Sequence, residues 1–445
     1  MVYLNYFPIV VVACLSLISC GQTVEVKKPN VIIILTDDQG YKDLGCYGSP
    51  FIKTPNTDQL ASKGLRFINF YAQPICGPSR TALLTGSYPL RVAEPGNTKR
   101  IHPPVHSGEI LLPEVLKTAG YTTACIGKWD LNRRNFDRKD CRPNRQGLDY
   151  WFGMPLAHSM PPTRLGAGKQ FMEKSAMGLY GDAAEEIDWS VGEIMKKLKE
   201  LELDKNTILV FTSDNGLWRA RGTHAGSAFP FRGGKVSTWE GDVRVPCIIW
   251  GHDFLKRGIV NHVTSGMDFF PTFTKMTGAK LPEGRIVDGK DISSLIVKTK
   301  KEKALDNTYY YYFYTHLQAV RQGDWKLVLP RPQAPEWIPY VSRKSVWKRE
   351  DMESVKGTEL YNLRKDPSKR RNVAAENPQV VKTLMVLVEK ACGDIGDFNV
   401  IGKGARFYDE GVKRPGARPW KNINIDSLLH EHNLHPFYQD GASIL

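Results

Sequence analysis

The sequence predicts an α/β fold, with a large first domain over residues 28–305 and a smaller α+β subdomain and tail over residues 306–445. Three observations carry the prediction. Two long apolar runs, NVIIILTDDQG at residues 30–40 and NTILVFTSDNG at residues 206–216, end in nearly the same way. A continuous β-branched run of that kind suits a parallel strand buried on both faces. Strand and helix signals alternate through the first 300 residues. Beyond them the pattern changes to short aromatic strands, YYYYFY at 309–314 and DWKLVL at 324–329.

The elements follow in chain order. Residues 9–18, IVVVACLSLI, form an apolar run too short for a bilayer, which needs about 20 residues. It fits the apolar part of a secretory signal, although no Lys or Arg precedes it. Leu17-Ile18-Ser19-Cys20 then resembles a bacterial lipoprotein cleavage box. The expectation is a signal over residues 1–20 and an exported protein, periplasmic or held at the cell surface. Its only membrane attachment would be a lipid at Cys20.

Residues 112–119 form a short helical pattern. Ile187, Val191, Ile194, Leu198 and Leu201 recur at helical spacing and predict an amphipathic helix packed on the sheet. A last helix is expected near residues 380–388.

Composition narrows the class. Apolar residues make up 41% of the 445, enough for a real core, and the net charge is +14. The basic balance points to an anionic partner. Residues 133–145, RRNFDRKDCRPNR, concentrate it, either as a solvated loop or as a wall facing an anionic ligand. No nucleic-acid module accompanies them, so DNA and RNA are not expected. The eight cysteines include no CxxC pair, which argues against a soft-metal site.

The strand echoes point to chemistry. In open α/β sheets ligands bind beyond the carboxyl ends of the strands, so both runs aim at one place. Asp37, Asp38, Asp214 and Asn215 offer hard oxygen ligands, suited to Ca²⁺ or Mg²⁺ rather than zinc. The competing reading is a turn after each strand. The adjacent Asp37-Asp38 pair weighs against it, because neighbouring carboxylates repel unless compensated.

CGPSRTALLTG at residues 76–86 decides the matter. It resembles the signature of the type I sulfatases, the formylglycine-dependent, arylsulfatase A-like branch of the alkaline phosphatase superfamily. ILTDDQG, GKW at 127–129, TSDNG, FRGGKVSTWEGDVRVP at 231–246 and ELYNLRKDP at 359–367 match in the family's order. The resemblance implies an alkaline-phosphatase-like sandwich: a large mixed, mostly parallel sheet flanked by helices, plus a C-terminal antiparallel sheet.

It also implies that a maturase, formylglycine-generating or radical, oxidises Cys76 to an aldehyde and recognises Pro78 and Arg80. The hydrated aldehyde attacks the sulfur of a sulfate ester with one hydroxyl. The second hydroxyl loses its proton and expels sulfate. Asp37, Asp38, Asp214 and Asn215 would hold Ca²⁺, or less favourably Mg²⁺, with residue 76 as a further ligand. Arg80, Lys128 and Lys235 would stabilise the diol and the sulfuryl oxygens.

Three departures accompany the match. Asp130 follows GKW where the family has His. Pro162 stands where a second His is usual, with His158 four residues earlier as a substitute proton donor. WFG at 151–153 runs almost directly into PLAHS, where relatives carry a long segment. Asp242 also replaces a usual Gly, and His224 is a candidate for the rim. The expected function is removal of sulfate from a sulfated carbohydrate. The alternatives are a weakened relative that binds sulfated glycans without turnover, and a phosphodiesterase or phosphonate hydrolase of the same superfamily.

Overall fold

The computed structural model describes residues 28–92, 105–106, 108–131, 142–154, 168–313, 316–331, 354–397 and 400–406, and the backbone of 418–419. The signal run, Cys20, residues 133–141 of the basic stretch, His158 and Pro162 lie outside them.

The two echoed runs are the strands β1 (Asn30–Thr36) and β6 (Thr207–Ser213), paired in parallel from Asn30 opposite Thr207 to Thr36 opposite Ser213. Because they end level, Asp37 and Asp38 emerge beside Asp214 and Asn215. The rest of this sheet comes from β2 (Leu65–Phe67), β7 (Cys247–Gly251) and β8 (Gly258–Val260), in the order β1-β6-β7-β2-β8. The β6–β7 and β7–β2 pairs are antiparallel, and β2–β8 is parallel. Two further parallel pairs complete the region: β3 (Phe70–Tyr71) with β9 (Thr264–Ser265), and β4 (Ala124–Lys128) with β5 (Tyr150–Met154). The sheet structure is thus mixed, with more parallel than antiparallel pairs.

Strand β6 shows why its sequence does not alternate. Ile208 and Val210 pack among Leu83, Leu112, Val115 and Phe273 on one face. Leu209 and Phe211 pack with Leu60 and Val191 on the other. Both faces are covered, so every residue is apolar or buried. Removing one such side chain, as in Phe211→Ala, costs ~3–5 kcal/mol. Strand β1 differs from the expectation. Only Thr36 is buried, because β1 lies at the edge of this sheet among the described strands.

The covering helices are α1 (Pro55–Lys63), α2 (Cys76–Thr85), α3 (Pro89–Val92), α4 (Leu112–Thr118), α5 (Gly178–Glu200), α6 (Glu240–Val243) and α7 (Phe269–Met276). Helix α5 begins well before Ile187. Asp182, in its first turns, accepts the backbone N–H groups of Glu173, Lys174 and Ser175 and secures the start. Leu201, expected on its buried face, caps the end and is 55% exposed.

After α8 (Ser293–Ile296), the strands β10 (Thr308–Phe313), β11 (His316–Gln322), β12 (Trp325–Val328) and β13 (Glu359–Asn362) form an antiparallel sheet. Helix α9 (Pro378–Asp394) buries Leu384, Met385 and Val388 against it. The same core takes in Tyr71, Tyr88 and Trp239, so apolar packing continues across residue 305.

Candidate active site

Cys76 is the first residue of α2. Extended Ile75 delivers the chain, and Ser79 locks the entry, its hydroxyl accepting from the Gln73 N–H and donating to the Gln73 carbonyl at 2.9 Å each. Arg80, four residues on, falls on the same helix face as Cys76. Its Nε and Nη2 donate to Asp214 Oδ2 at 3.2 and 3.0 Å, and Nη1 donates to the Lys128 carbonyl at 2.7 Å.

The remaining residues arrive at strand ends. Lys128 ends β4, and its Nζ lies 2.5 Å from Asp37 Oδ2 and 3.4 Å from Asp130 Oδ2. Lys235 reaches in from the loop before α6. Its Nζ pairs closely with Asp38 Oδ1, and lies 3.8 Å from Asp37 Oδ1 and 3.5 Å from Cys76 Sγ. Asn215 Nδ2 donates to Asp38 Oδ1 at 2.7 Å. Asp37, Cys76, Arg80, Lys128, Asp214 and Lys235, with Asp38 and Asn215, therefore form one connected cluster.

The backbone is held in uncommon conformations to make it. Asp38 (φ 59°), Asp130 (φ 52°) and Val236 (φ 78°) are non-glycine residues in the left-handed region, at roughly 1–3 kcal/mol each. Gly216 has no room for a side chain: a Cβ there would sit 2.1 Å from the Gly241 carbonyl oxygen.

Two buried carboxylates that sequence reasoning did not assign hold these loops. Asp43 accepts from the Gly40 and Ser227 N–H groups at 2.7 Å and from the Tyr180 hydroxyl at 2.5 Å. Burial nonetheless pushes it up to about 6. Asp242 accepts from the Ser237 N–H at 2.9 Å and the Gly216 N–H at 3.3 Å, tying the Lys235 loop to the Asn215 loop. The replacement of a usual Gly flagged Asp242, but only the fold shows what it binds.

The electrostatics separate the carboxylates. Burial works upward on Asp37, yet Lys235, Lys128 and Arg80 hold it well below the usual carboxylate range. Burial, then repulsion from Asp37, pushes Asp214 up to about 6. Burial also raises Asp38, opposed by Lys235. The Cys76 thiol is pushed by burial up to about 12. A thiol there is protonated at neutral pH and a poor nucleophile.

A divalent cation fits what is present. The donor atoms of Asp37, Cys76 and Asp214 lie within 4.8 Å of one another. Among the described residues, Asp214 Oδ1 and Asn215 Oδ1 are buried acceptors without a hydrogen-bond donor. Buried acceptors are rarely left so, and hard oxygen donors of this kind suit Ca²⁺ or Mg²⁺. His224 stands apart. It is exposed at the end of the short helical segment Arg219–His224 and makes no hydrogen bond or ion pair to the cluster.

Comparison with known proteins points to the same family. The Sulfatase family profile matches residues 29–165 and 158–279. N-acetylgalactosamine-6-sulfatase of Rattus norvegicus is 33% identical over 395 residues, covering 71% of this chain and 74% of that protein. Arylsulfatase A of Homo sapiens is 29% identical, covering 81% and 87%. Among solved structures, the PsFucS1 sulfatase from Pseudoalteromonas sp. superposes with a TM-score of 0.69 at 22% identity, over 86% of this chain and 92% of that one. Ps i-CgsB in complex with k-i-k-neocarrahexaose gives 0.67 at 24%, over 82% and 92%. The cysteine helix, the paired strand ends and the basic side chains between them thus occur within a matched family and architecture, and this chain is a type I sulfatase.

Proposed function

We propose that this sulfatase removes sulfate from a sulfated carbohydrate, using a formylglycine made from Cys76 and a bound Ca²⁺, with Mg²⁺ the less favoured ion. The observation that carries the reading is the pair of buried, donorless acceptors, Asp214 Oδ1 and Asn215 Oδ1, beside Asp37 and Cys76. The high position of the thiol supports it as well, since an unconverted Cys76 would be a sluggish nucleophile.

Asp37, Asp38, Asp214 and Asn215 would hold the cation, which when bound draws in an anionic ester and eases deprotonation of a hydroxyl beside it. The converted residue 76 supplies a diol, one oxygen to attack sulfur and one to release sulfate. Arg80, Lys128 and Lys235 do the rest. They stay cationic, since the surrounding carboxylates outweigh the effect of burial on each. Held by those carboxylates, they are already oriented toward residue 76, where charge on sulfuryl oxygens develops. Asp130, buried beside Lys128, stands where the family's proton-transferring His would be.

A carbohydrate substrate is supported by the relatives named N-acetylgalactosamine-6-sulfatase and by the neighbour solved with a neocarrahexaose. The net charge of +14 suits an anionic one. Export, a lipid at Cys20 and a maturase partner complete the proposal, and they rest on the sequence alone.

Mass spectrometry of the Cys76 peptide after coexpression with a maturase, together with sulfate release from sulfated sugars, tests the reading. Conversion with release is expected. An unmodified cysteine and no release overturn it. A second reading, glycan binding without turnover, is favoured by Asp130 in place of His. It predicts binding that survives Cys76→Ala in a protein whose parent has negligible turnover.

A further inference from the structure

Beyond β6 the chain passes Gly216 and Leu217 and enters the segment Arg219–His224. The Lys235 N–H donates to the Leu217 carbonyl at 2.8 Å, which fixes this stretch beside the active-site lysine. Trp218 consequently lies against Lys235, whose Nζ is 5.0 Å from the indole centroid. The guanidinium of Arg221 lies 4.1 Å from the same ring. The Arg221 N–H donates to the Trp218 carbonyl at 3.0 Å and closes the turn that brings the two together.

The chain of contacts is short. Cys76 Sγ meets Lys235 Nζ at 3.5 Å, Lys235 meets the Trp218 ring, and the ring carries Arg221. One indole separates the catalytic cation from a second one.

Arg221 differs from the arginines that build the site and the core. Arg80 has Asp214 at 3.0 Å, and Arg91 has Asp288 at 2.8 Å and Asp394 at 2.9 Å. Among the described residues no carboxylate pairs with Arg221, and it is only half-buried. A guanidinium stacked on an aromatic face loses little freedom when it binds, and its N–H edge stays available for a carboxylate or sulfate.

We propose that Arg221, laid on Trp218, forms a second anion subsite about one sugar ring from residue 76, which takes a further sulfate or carboxylate of the substrate. The proposal rests on the reading of the enzyme as acting on sulfated sugars. It makes Arg221 a specificity residue: the scissile sulfate belongs to Arg80, Lys128 and Lys235, and a neighbouring anionic group belongs to Arg221.

The test is calorimetric binding of glucosamine 6-sulfate and glucosamine 2-N,6-O-disulfate to Cys76→Ala, Cys76→Ala/Arg221→Ala and Cys76→Ala/Arg221→Lys. A hydrogen bond to a charged group contributes ~1.5–3 kcal/mol, or roughly 10–100-fold in affinity. The disulfate is expected to bind Cys76→Ala tighter than the monosulfate by that factor. Arg221→Ala erases the preference, and Arg221→Lys, which keeps charge but loses the stacked fork, restores part of it. No preference in Cys76→Ala, or a preference that survives Arg221→Ala, overturns the proposal. Sulfate release by the wild-type enzyme is scored separately and reports on the catalytic reading alone.

Discussion

Two charge clusters are served by residues five positions apart in the stretch FRGGKVSTWEGDVRVP, and they are built in opposite ways. Lys235 serves the first, where Asp37, Asp38 and Asp214 face Arg80, Lys128 and Lys235. Acceptors are in surplus there, since Asp214 Oδ1 and Asn215 Oδ1 have no donor, and Asp37 is open to solvent. Glu240 serves the second. Its Oε1 takes the Tyr311 hydroxyl and Lys326 Nζ at 3.0 Å each, with Lys369 Nζ at 3.6 Å. Its Oε2 takes the Tyr71 hydroxyl at 2.6 Å, with Arg244 at 3.8 Å and Arg321 at 4.0 Å. Here donors are in surplus around one carboxylate, and the pair Glu240–Lys326 is fully buried. A cluster with acceptors to spare and open to solvent is arranged to receive something. A cluster short of anions and closed is a tie, here joining α6 to the C-terminal sheet.

Substitutions that separate the two clusters sharpen this contrast. Asp214→Asn removes an anion from the open cluster, while Arg80 keeps its bond to the Lys128 carbonyl and the nearby charge of Asp37. It should lower kcat for sulfate release by on the order of 10³-fold, the scale of losing a preorganised charged partner. Urea unfolding should change far less than the rate. Glu240→Gln should do the reverse. It leaves buried cations without a counter-charge, and the unfolding free energy is expected to fall by about 3–5 kcal/mol in urea titrations. Equal effects of the two substitutions on rate and stability would break the comparison.

The closed cluster also sets a pH signature. Burial lowers Lys369 from its ordinary range to about 8. Between pH 8 and the ordinary lysine value near 10.5, the unfolded chain binds the proton and the folded chain does not. Stability from this group therefore rises with pH across that window. The wild-type minus Lys369→Met difference in unfolding free energy should shift toward the wild type by up to roughly 3 kcal/mol from pH 8 to 10.5. A flat difference contradicts the account. The smallest effect expected is Asp130→His, which restores the family's usual residue beside Lys128. It should raise kcat by up to roughly 10²-fold, and its pH–rate profile should acquire a new limb near the histidine range.

The open cluster was largely legible in the sequence, and the closed one was not. The echoed strand ends gave away Asp37, Asp38, Asp214 and Asn215, because a parallel register brings equivalent positions abreast. Lys128 and Lys235 were legible only through whole motifs, since a lone lysine carries no signal. That β1 is only half-buried was not legible, because a run of Val and Ile reads the same at the edge of the described sheet as at its centre. Lys326 and Glu240 meet across 86 residues. Lys326 sits in an ordinary aromatic strand and Glu240 in an ordinary helical turn. Only the docking of the C-terminal sheet makes them partners. His224 was legible only as a rim candidate by its place in the chain, and it lies exposed at the end of the segment that carries Arg221.

The central claim is that the donorless acceptors of Asp214 and Asn215 mark a place for a divalent cation. Calorimetric titration of the chelator-treated protein with Ca²⁺, alongside Asp214→Asn, tests it most directly. The account predicts one Ca²⁺ per chain, with binding weakened at least 10-fold in the variant. Absence of binding, or binding unchanged by Asp214→Asn, would contradict it.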